Sequence, residues 1–131
     1  MARSLIAVIN DDTAFLNLMH DLLESEGYRT LIWREGDQAY EMVKRERPGL
    51  IILDIRMEKP DTGWMVLEAV RLDPVTSQIP AILCSADIDF LRAKAPRLEK
   101  MHCDTLEKPF ILDELLTKVS ALIGPPDGHQ S

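Results

Sequence analysis

The run Leu50-Ile51-Ile52-Leu53-Asp54 constrains this chain more than any other: four consecutive apolar side chains stop at a carboxylate, and the irregular stretch from Ile55 to Thr62 follows. A segment that is apolar at every position cannot alternate between core and solvent. It reads as a strand covered on both faces, the pattern of a parallel sheet. Asp54 then stands at the carboxyl end of the strand, the edge at which open α/β sheets bind ligands. Taken alone, Asp54 could equally cap the turn that follows, a common role for Asp.

The rest of the chain repeats the theme. Leu5-Ile6-Ala7-Val8-Ile9 is a second continuous apolar run, and it too ends in polar groups, Asn10, Asp11 and Asp12. Further strands are expected over Tyr28 to Trp33 near a sheet edge, over Ile79 to Ser85, and over Met101 to Glu107. Between them, helical spacing puts Phe15, Leu18, Met19, Leu22 and Leu23 on one buried face of a first helix stopped by Gly27. A second helix over 36–46 buries Ala39, Met42 and Val43, and a third over 64–72 buries Val66, Leu67 and Val70. The fourth, over 87–100, would use Phe90, Leu91 and Ala95, but Pro96 is expected to kink or break it. The last, over 111–123, buries Leu112, Leu115, Leu116, Val119 and Ile123 before Gly124-Pro125-Pro126. Strands alternating with helices five times over predict a flavodoxin-like, doubly wound, five-stranded parallel sheet of order 2-1-3-4-5 with helices on both faces. In that order the first and third strands are neighbours, so Asp11 and Asp54 are expected to converge.

The 131 residues fit one domain over 3–123, followed by a tail or linker over 124–131 that is expected to be disordered. A formal charge of −7 argues against nucleic-acid binding through phosphates, which needs a surplus of Lys and Arg on one face. Cys84 and Cys103 lack a zinc-like spacing and read as buried free thiols. The polar run from Asn10 interrupts the first apolar stretch too early for a signal peptide, and no stretch approaches the roughly 18 apolar residues of a membrane span. The expectation is a cytoplasmic protein without a membrane partner.

Two carboxylates held together repel unless a cation neutralises them. Hard oxygen ligands that leave room for water and phosphate suit Mg²⁺, which one or two protein carboxylates usually hold. Ser85 closes the fourth strand and Lys108 follows the fifth, adding a hydroxyl and an ammonium to the same edge. Together these groups form a site for a phosphoryl group. The chain has neither a Gly-x-x-x-x-Gly-Lys-[Ser/Thr] loop nor Gly-x-Gly-x-x-Gly after its first strand, which argues against nucleotide binding by those devices.

Val8-Ile9-Asn10-Asp11-Asp12, Leu53-Asp54-Ile55-Arg56-Met57, Ser85-Ala86 and Lys108-Pro109-Phe110, in this order and spacing, resemble the receiver domains of two-component response regulators across almost the whole chain. The resemblance implies that Asp54 accepts a phosphoryl group from a phosphohistidine on a histidine kinase or histidine phosphotransfer protein. It also implies that Mg²⁺ is bound by Asp11, Asp54 and the backbone carbonyl of Arg56, and that Ser85 and Lys108 contact phosphoryl oxygens. A cis Lys108-Pro109 bond is a further family expectation, while the sequence leaves open whether the domain forms a homodimer through the fourth helix, fifth strand and last helix. The domain would then act as a signalling switch or phosphate shuttle, not as an enzyme.

Three departures from the family pattern bear on that reading. Asn10 fills a slot that is usually acidic, so it would ligate the metal weakly or through water, and Asp12 either compensates or caps the first helix. Thr105 replaces the aromatic residue whose rotation usually couples phosphorylation to the output face. The loop from Met57 to Gly63 is one residue longer than usual, with Glu58 where Pro is common. Asn10 and Thr105 motivate an alternative, a receiver-like interaction module that is not phosphorylated. A Mg²⁺-dependent phosphatase using Asp54 is a third reading, but it lacks a second acid and a cap domain.

Overall fold

A computed structural model describes residues 5–55 and 62–125 of the chain. In chain order the elements are β1 (Leu5–Ile9), α1 (Thr13–Ser25), β2 (Arg29–Trp33), α2 (Ala39–Glu46), β3 (Leu50–Asp54), α3 (Thr62–Leu72), β4 (Ala81–Ser85), α4 (Ile88–Lys100), β5 (Cys103–Glu107) and α5 (Leu112–Ile123). All strand pairs are parallel and the sheet order is β2-β1-β3-β4-β5, the doubly wound flavodoxin-like arrangement expected from the alternation of apolar runs and helical stripes.

The sheet separates two cores. Ala7, Ile9, Ile51, Leu53, Ala81 and Leu83 pack with α2, α3 and α4 on one face. Ile6, Val8, Leu50, Ile52, Ile82 and Cys84 pack with α1 and α5 on the other. Successive side chains of a strand point to opposite faces, so a sheet clothed on both sides needs an apolar residue at every position. That requirement is why the central strands carry no alternation. Cys84 and Cys103 are free thiols within this buried region, and burial pushes each thiol up to about 12.

Three sequence expectations shift. In α1 the buried residues are Leu16, Met19 and Leu23, whereas Leu18 is 54% exposed. The helix is rotated so that Phe15, Leu18 and Leu22 border a shallow apolar groove of about 440 Å³ shared with Phe110 and Leu112. Leu112 is accordingly exposed, and in α5 only Leu115 and Val119 are fully buried. The helix α4 runs unbroken through Pro96. Its buried contacts, Leu91 and Leu98, lie two turns apart on either side of the proline, so a break would forfeit one of them; Pro96 and Ala95 are exposed.

Helix ends are fixed by side chains. Asp12 accepts hydrogen bonds from the Ala14 and Phe15 N–H groups at 3.0 and 3.3 Å, the capping role open to it from sequence. Asp87 caps α4 by accepting from the Phe90 N–H at 3.0 Å. Arg71, on α3, donates to the carbonyls of Met101 and His102 at the end of α4, binding the two helices together. At the carboxyl end, the Gly124 carbonyl accepts from the Tyr28 hydroxyl at 3.0 Å, while residues 126–131 of the expected tail lie outside the described residues. Among the described residues, no helix is long and apolar enough to cross a membrane.

A polar clamp joins α2 to the end of α3. Asp73 accepts from the Tyr40 hydroxyl, from the Val75 N–H at 2.8 Å, and from the Lys44 ammonium at 3.0 Å. These partners, the Tyr40 hydrogen bond foremost, hold the Asp73 carboxyl at about 2, below its ordinary 3.8. A depressed carboxylate pKa contributes stability that is present above the unfolded value and lost as the pH falls through the folded one. An Asp73→Asn variant should therefore melt below the parent at neutral pH, and the gap should shrink between about pH 4 and about pH 2. Thermal melts of both proteins across that window check the clamp; a gap that stays constant to the acid end would count against it.

Candidate functional site

The strand registers bring the polar groups together. Ile9 pairs with Leu53 between β1 and β3, so the next residues, Asn10 and Asp54, emerge side by side at the carboxyl edge. Ser85 ends β4 opposite Glu107 of β5, and the Lys108 N–H donates to the Ser85 carbonyl at 2.9 Å, which ties the start of the following loop to the same edge. Asp54, Ser85, Ala86, Asp87 and Lys108 line a cleft of about 390 Å³. Three of the residues expected at the site thus share one cavity.

Asp54 is the focus of the hydrogen bonding. The Lys108 ammonium donates to Asp54 Oδ2, and the Asn10 side-chain amide donates to the same oxygen at 3.0 Å. The ion pair is partly withdrawn from solvent, with the Lys108 side chain 27% and the Asp54 side chain 12% exposed, and Asn10 beside it is buried. Ion pairs in such surroundings are less screened than surface pairs, so this contact holds the carboxylate in a defined position. Ser85, 4% exposed, accepts from the Asp87 N–H at 2.9 Å through its hydroxyl oxygen. A hydroxyl engaged in this way still has its own proton to donate to an oxygen in the cleft. The Lys108-Pro109 bond is cis, as the family resemblance implied.

Asp11 occupies a different place. It is exposed and is not among the described residues lining the cleft, one residue beyond the Asn10 that contacts Asp54. Arg56, whose carbonyl was expected to complete a metal site, lies outside the described residues, as does most of the Met57 to Gly63 loop with Glu58. Among the described residues, no three His, Cys, Asp or Glu side chains are grouped to hold a metal ion. Asp11 and Asp54 are nevertheless hard carboxylate donors delivered to one edge by adjacent strands, and one or two carboxylates with water are what Mg²⁺ usually takes from a protein. The donor chemistry fits that ion.

Two supporting features were not foreseen. The Lys108 ammonium lies 4.8 Å from the centroid of the Phe15 ring, and Phe15 meets Phe110 edge-on at 6.3 Å. A cation over an aromatic face is held electrostatically, so Phe15 and Asp54 together fix the Lys108 head group. Helical periodicity assigned Phe15 to the core, and nothing in the spacing linked it to a lysine far along the chain. Gly63 is the other feature. It donates its N–H to the Ile55 carbonyl at 2.9 Å, and a Cβ at this position would lie 1.9 Å from the Asp54 carbonyl oxygen and 2.8 Å from Ile55 Cα. Only a residue without a side chain lets α3 approach the end of β3 this closely. The sole sequence signal was a glycine at the end of the irregular stretch that follows the apolar run.

Thr105 is half-buried on β5. Together with Leu98, Cys103, Asp104 and Leu122 it borders a second cleft of about 370 Å³ between α4, β5 and α5. No Phe, Tyr or Trp is among the described residues lining this cleft.

Comparison with known proteins agrees with this geometry. The family profile of the response regulator receiver domain matches residues 6–120. The response regulator MprA of Mycobacterium leprae is 32% identical over 129 residues, covering 96% of this chain and 55% of that protein. The DNA-binding dual master transcriptional regulator RpaA of Synechocystis sp. is 31% identical over 122 residues, covering 93% of this chain and 50% of that protein. The chain thus spans about half the length of these relatives. Among solved structures, the receiver domain of the sensor histidine kinase PA1611 from Pseudomonas aeruginosa PAO1, with a magnesium ion coordinated in its active-site cleft, superposes with a TM-score of 0.79 at 26% identity, covering 94% of this chain and 99% of that one.

The Gly63 contact yields a direct check. A Gly63→Ala substitution adds a methyl group against backbone atoms that have no rotamer to yield, so it should cost about 3 kcal/mol, the upper end of overpacking penalties. Urea unfolding of parent and variant measures this, and a variant as stable as the parent would refute the close approach of α3 to Asp54.

Proposed function

The chain belongs to the response regulator receiver domain family, and from that premise we propose that Asp54 is its phosphoacceptor. The donor is a phosphohistidine of a histidine kinase or histidine phosphotransfer protein, and the phosphorylated domain acts as a signalling switch or phosphate shuttle. The observation that carries this reading is the convergence of Lys108 and Asn10 on one oxygen of Asp54, in a cleft that also contains Ser85.

In the proposed reaction a carboxylate oxygen of Asp54 attacks phosphorus, a P–O bond forms as the P–N bond to the donor imidazole breaks, and the imidazole nitrogen keeps the bonding pair. Charge accumulates on the equatorial oxygens of the transferring group, and catalysis of such a transfer is mainly positioning and electrostatic stabilisation. Lys108 supplies a fixed positive charge at the cleft wall. Ser85 donates its hydroxyl proton to a phosphoryl oxygen. Phe15 keeps the Lys108 head group at its post while the carboxylate changes from anion to acyl phosphate. Mg²⁺, held by Asp11 and Asp54 with Arg56 contributing its carbonyl, would supply further neutralisation of the transferring charge. A new dianionic group at Asp54 alters the hydrogen bonds of Ser85, which is bonded to the Asp87 N–H at the start of α4. The α4, β5 and α5 face is the corresponding output and homodimer surface in this reading.

One observation favours the alternative of an interaction module that is not phosphorylated: Asn10 stands where an acid would add charge for the metal, and it engages Asp54 directly. The two readings separate by intact mass after incubation with Mg²⁺ and acetyl phosphate. The parent should gain one phosphoryl mass, and Asp54→Asn should gain none. Absence of any gain in the parent, with this donor and with a phosphorylated histidine phosphotransfer protein, would favour the interaction module; a gain in both proteins would move the chemistry away from Asp54.

A further inference from the structure

We propose that Asn10 is a positioning residue for the Asp54 carboxylate, acting through its amide nitrogen, and that its side-chain oxygen is not a metal ligand. The inference rests on the reading of Asp54 as the reacting group, and it replaces the weak or water-mediated ligation expected of Asn10 from sequence.

The orientation of the amide is set by its two partners. Asn10 Oδ1 accepts from the Asp12 N–H at 2.9 Å, and Nδ2 donates to Asp54 Oδ2 at 3.0 Å. A backbone N–H needs an acceptor and a carboxylate needs a donor, so the amide satisfies both in one orientation only. Nδ2 and not Oδ1 faces Asp54, so offering the oxygen to a cation shared with that carboxylate requires rotating the amide, which would set NH₂ against the Asp12 N–H, donor to donor. The same rotation would set the oxygen against the carboxylate, acceptor to acceptor. Asn10 is 2% exposed, so water could not make good either loss.

The neighbouring groups explain what this orientation achieves. An acid at position 10 would face Asp54 across adjacent strands and require a cation between them. Asn10 removes that charge and contributes a donor instead, and Lys108 supplies a second donor to the same oxygen. The carboxylate is thereby held by protein groups at the position from which it reacts. The Asp12 N–H that locks the amide belongs to the residue capping α1, so the start of that helix fixes the geometry of the acceptor.

The test uses three measurements on the full chain. In metal-free protein, the Asn10 side-chain amide resonances should show one proton protected from exchange, and Asp54→Ala should abolish that protection; unprotected protons in the parent would overturn the hydrogen bond without any substitution at Asn10. By titration calorimetry, Asn10→Ala should keep its Mg²⁺ Kd within about threefold of the parent, while Asn10→Asp should bind about tenfold tighter through the added charge. Weakening of Mg²⁺ binding in Asn10→Ala beyond that range would make Asn10 a ligand and overturn the proposal. Third, the initial rate of acetyl phosphate uptake should fall about tenfold in Asn10→Ala at saturating Mg²⁺, the signature of a displaced nucleophile and not of a lost metal. A parent that takes up no phosphoryl group would remove the phosphoacceptor reading, and the amide resonances and Mg²⁺ affinities would still decide the role of Asn10.

Discussion

The central strands of a sheet covered by helices on both faces have no position along their length where a charge can reach water. Every residue of β1 from Ile6 to Ile9, and of β3 from Leu50 to Leu53, is buried, and the first polar groups appear where the strands end. Asn10, Asp54 and Ser85 are all such terminal residues, and Lys108 follows the end of β5. The site is in this sense a consequence of the core. Because the strands are parallel, their carboxyl ends lie at one edge, and because β1 and β3 are adjacent at the point where the chain changes direction, the crevice opens beside Asp54.

Within that crevice, geometry is maintained from several directions at once. The Asp54 side chain is held by Lys108 and Asn10, and its backbone lies against Gly63 at the start of α3. Lys108 is held in turn by the Phe15 ring of α1, and Asn10 by the N–H of Asp12, which caps the same helix. Ser85 is connected through Asp87 to the first turn of α4. Three helices therefore begin at the site, and each is linked to it by a contact that a displacement of the carboxylate or its partners would disturb.

These features were unequally legible in the sequence. The alternation of strands with helical stripes sufficed for the sheet order, and apolar runs ending in polar residues for gathering Asp54 and Ser85, because burial leaves a central strand no other pattern; Lys108 followed from its place after a fifth strand of mixed polarity. Asp11 and Asn10 were harder to distinguish. Spacing assigns both to the strand end, but only the register Ile9 to Leu53 reveals that Asn10 is the one facing Asp54. In α1, Met19 and Leu23 are buried as expected, but Leu16 was missed and Leu18 was wrongly assigned to the core, because Phe15, Leu18 and Leu22 also satisfy helical spacing and periodicity carries no information about what opposes each stripe. Pro96 was given too much weight: intrinsic propensity yields to the burial of Leu91 and Leu98. Gly63 was invisible for the opposite reason, since the importance of a missing side chain depends on what stands next to it.

The location of aromatic side chains bears on how such a site communicates. With threonine at position 105, the space between α4, β5 and α5 is a cleft with no Phe, Tyr or Trp among the described residues of its lining. The aromatic packing of this region lies on the other side of α4, where Trp64 meets Phe90 edge-on at 6.0 Å and Lys94 lies over both rings. Trp64 directly follows Gly63, so a run of contacts leads from the Asp54 backbone through the first turn of α3 to α4, and the Arg97 to Glu68 ion pair at 2.6 Å joins the same two helices further along. Contiguity alone is not energetic coupling. What the contact does establish is local: at Gly63 the first turn of α3 leaves no room for even a methyl group against the Asp54 carbonyl, so the backbone at Asp54 and the start of α3 are packed without a gap.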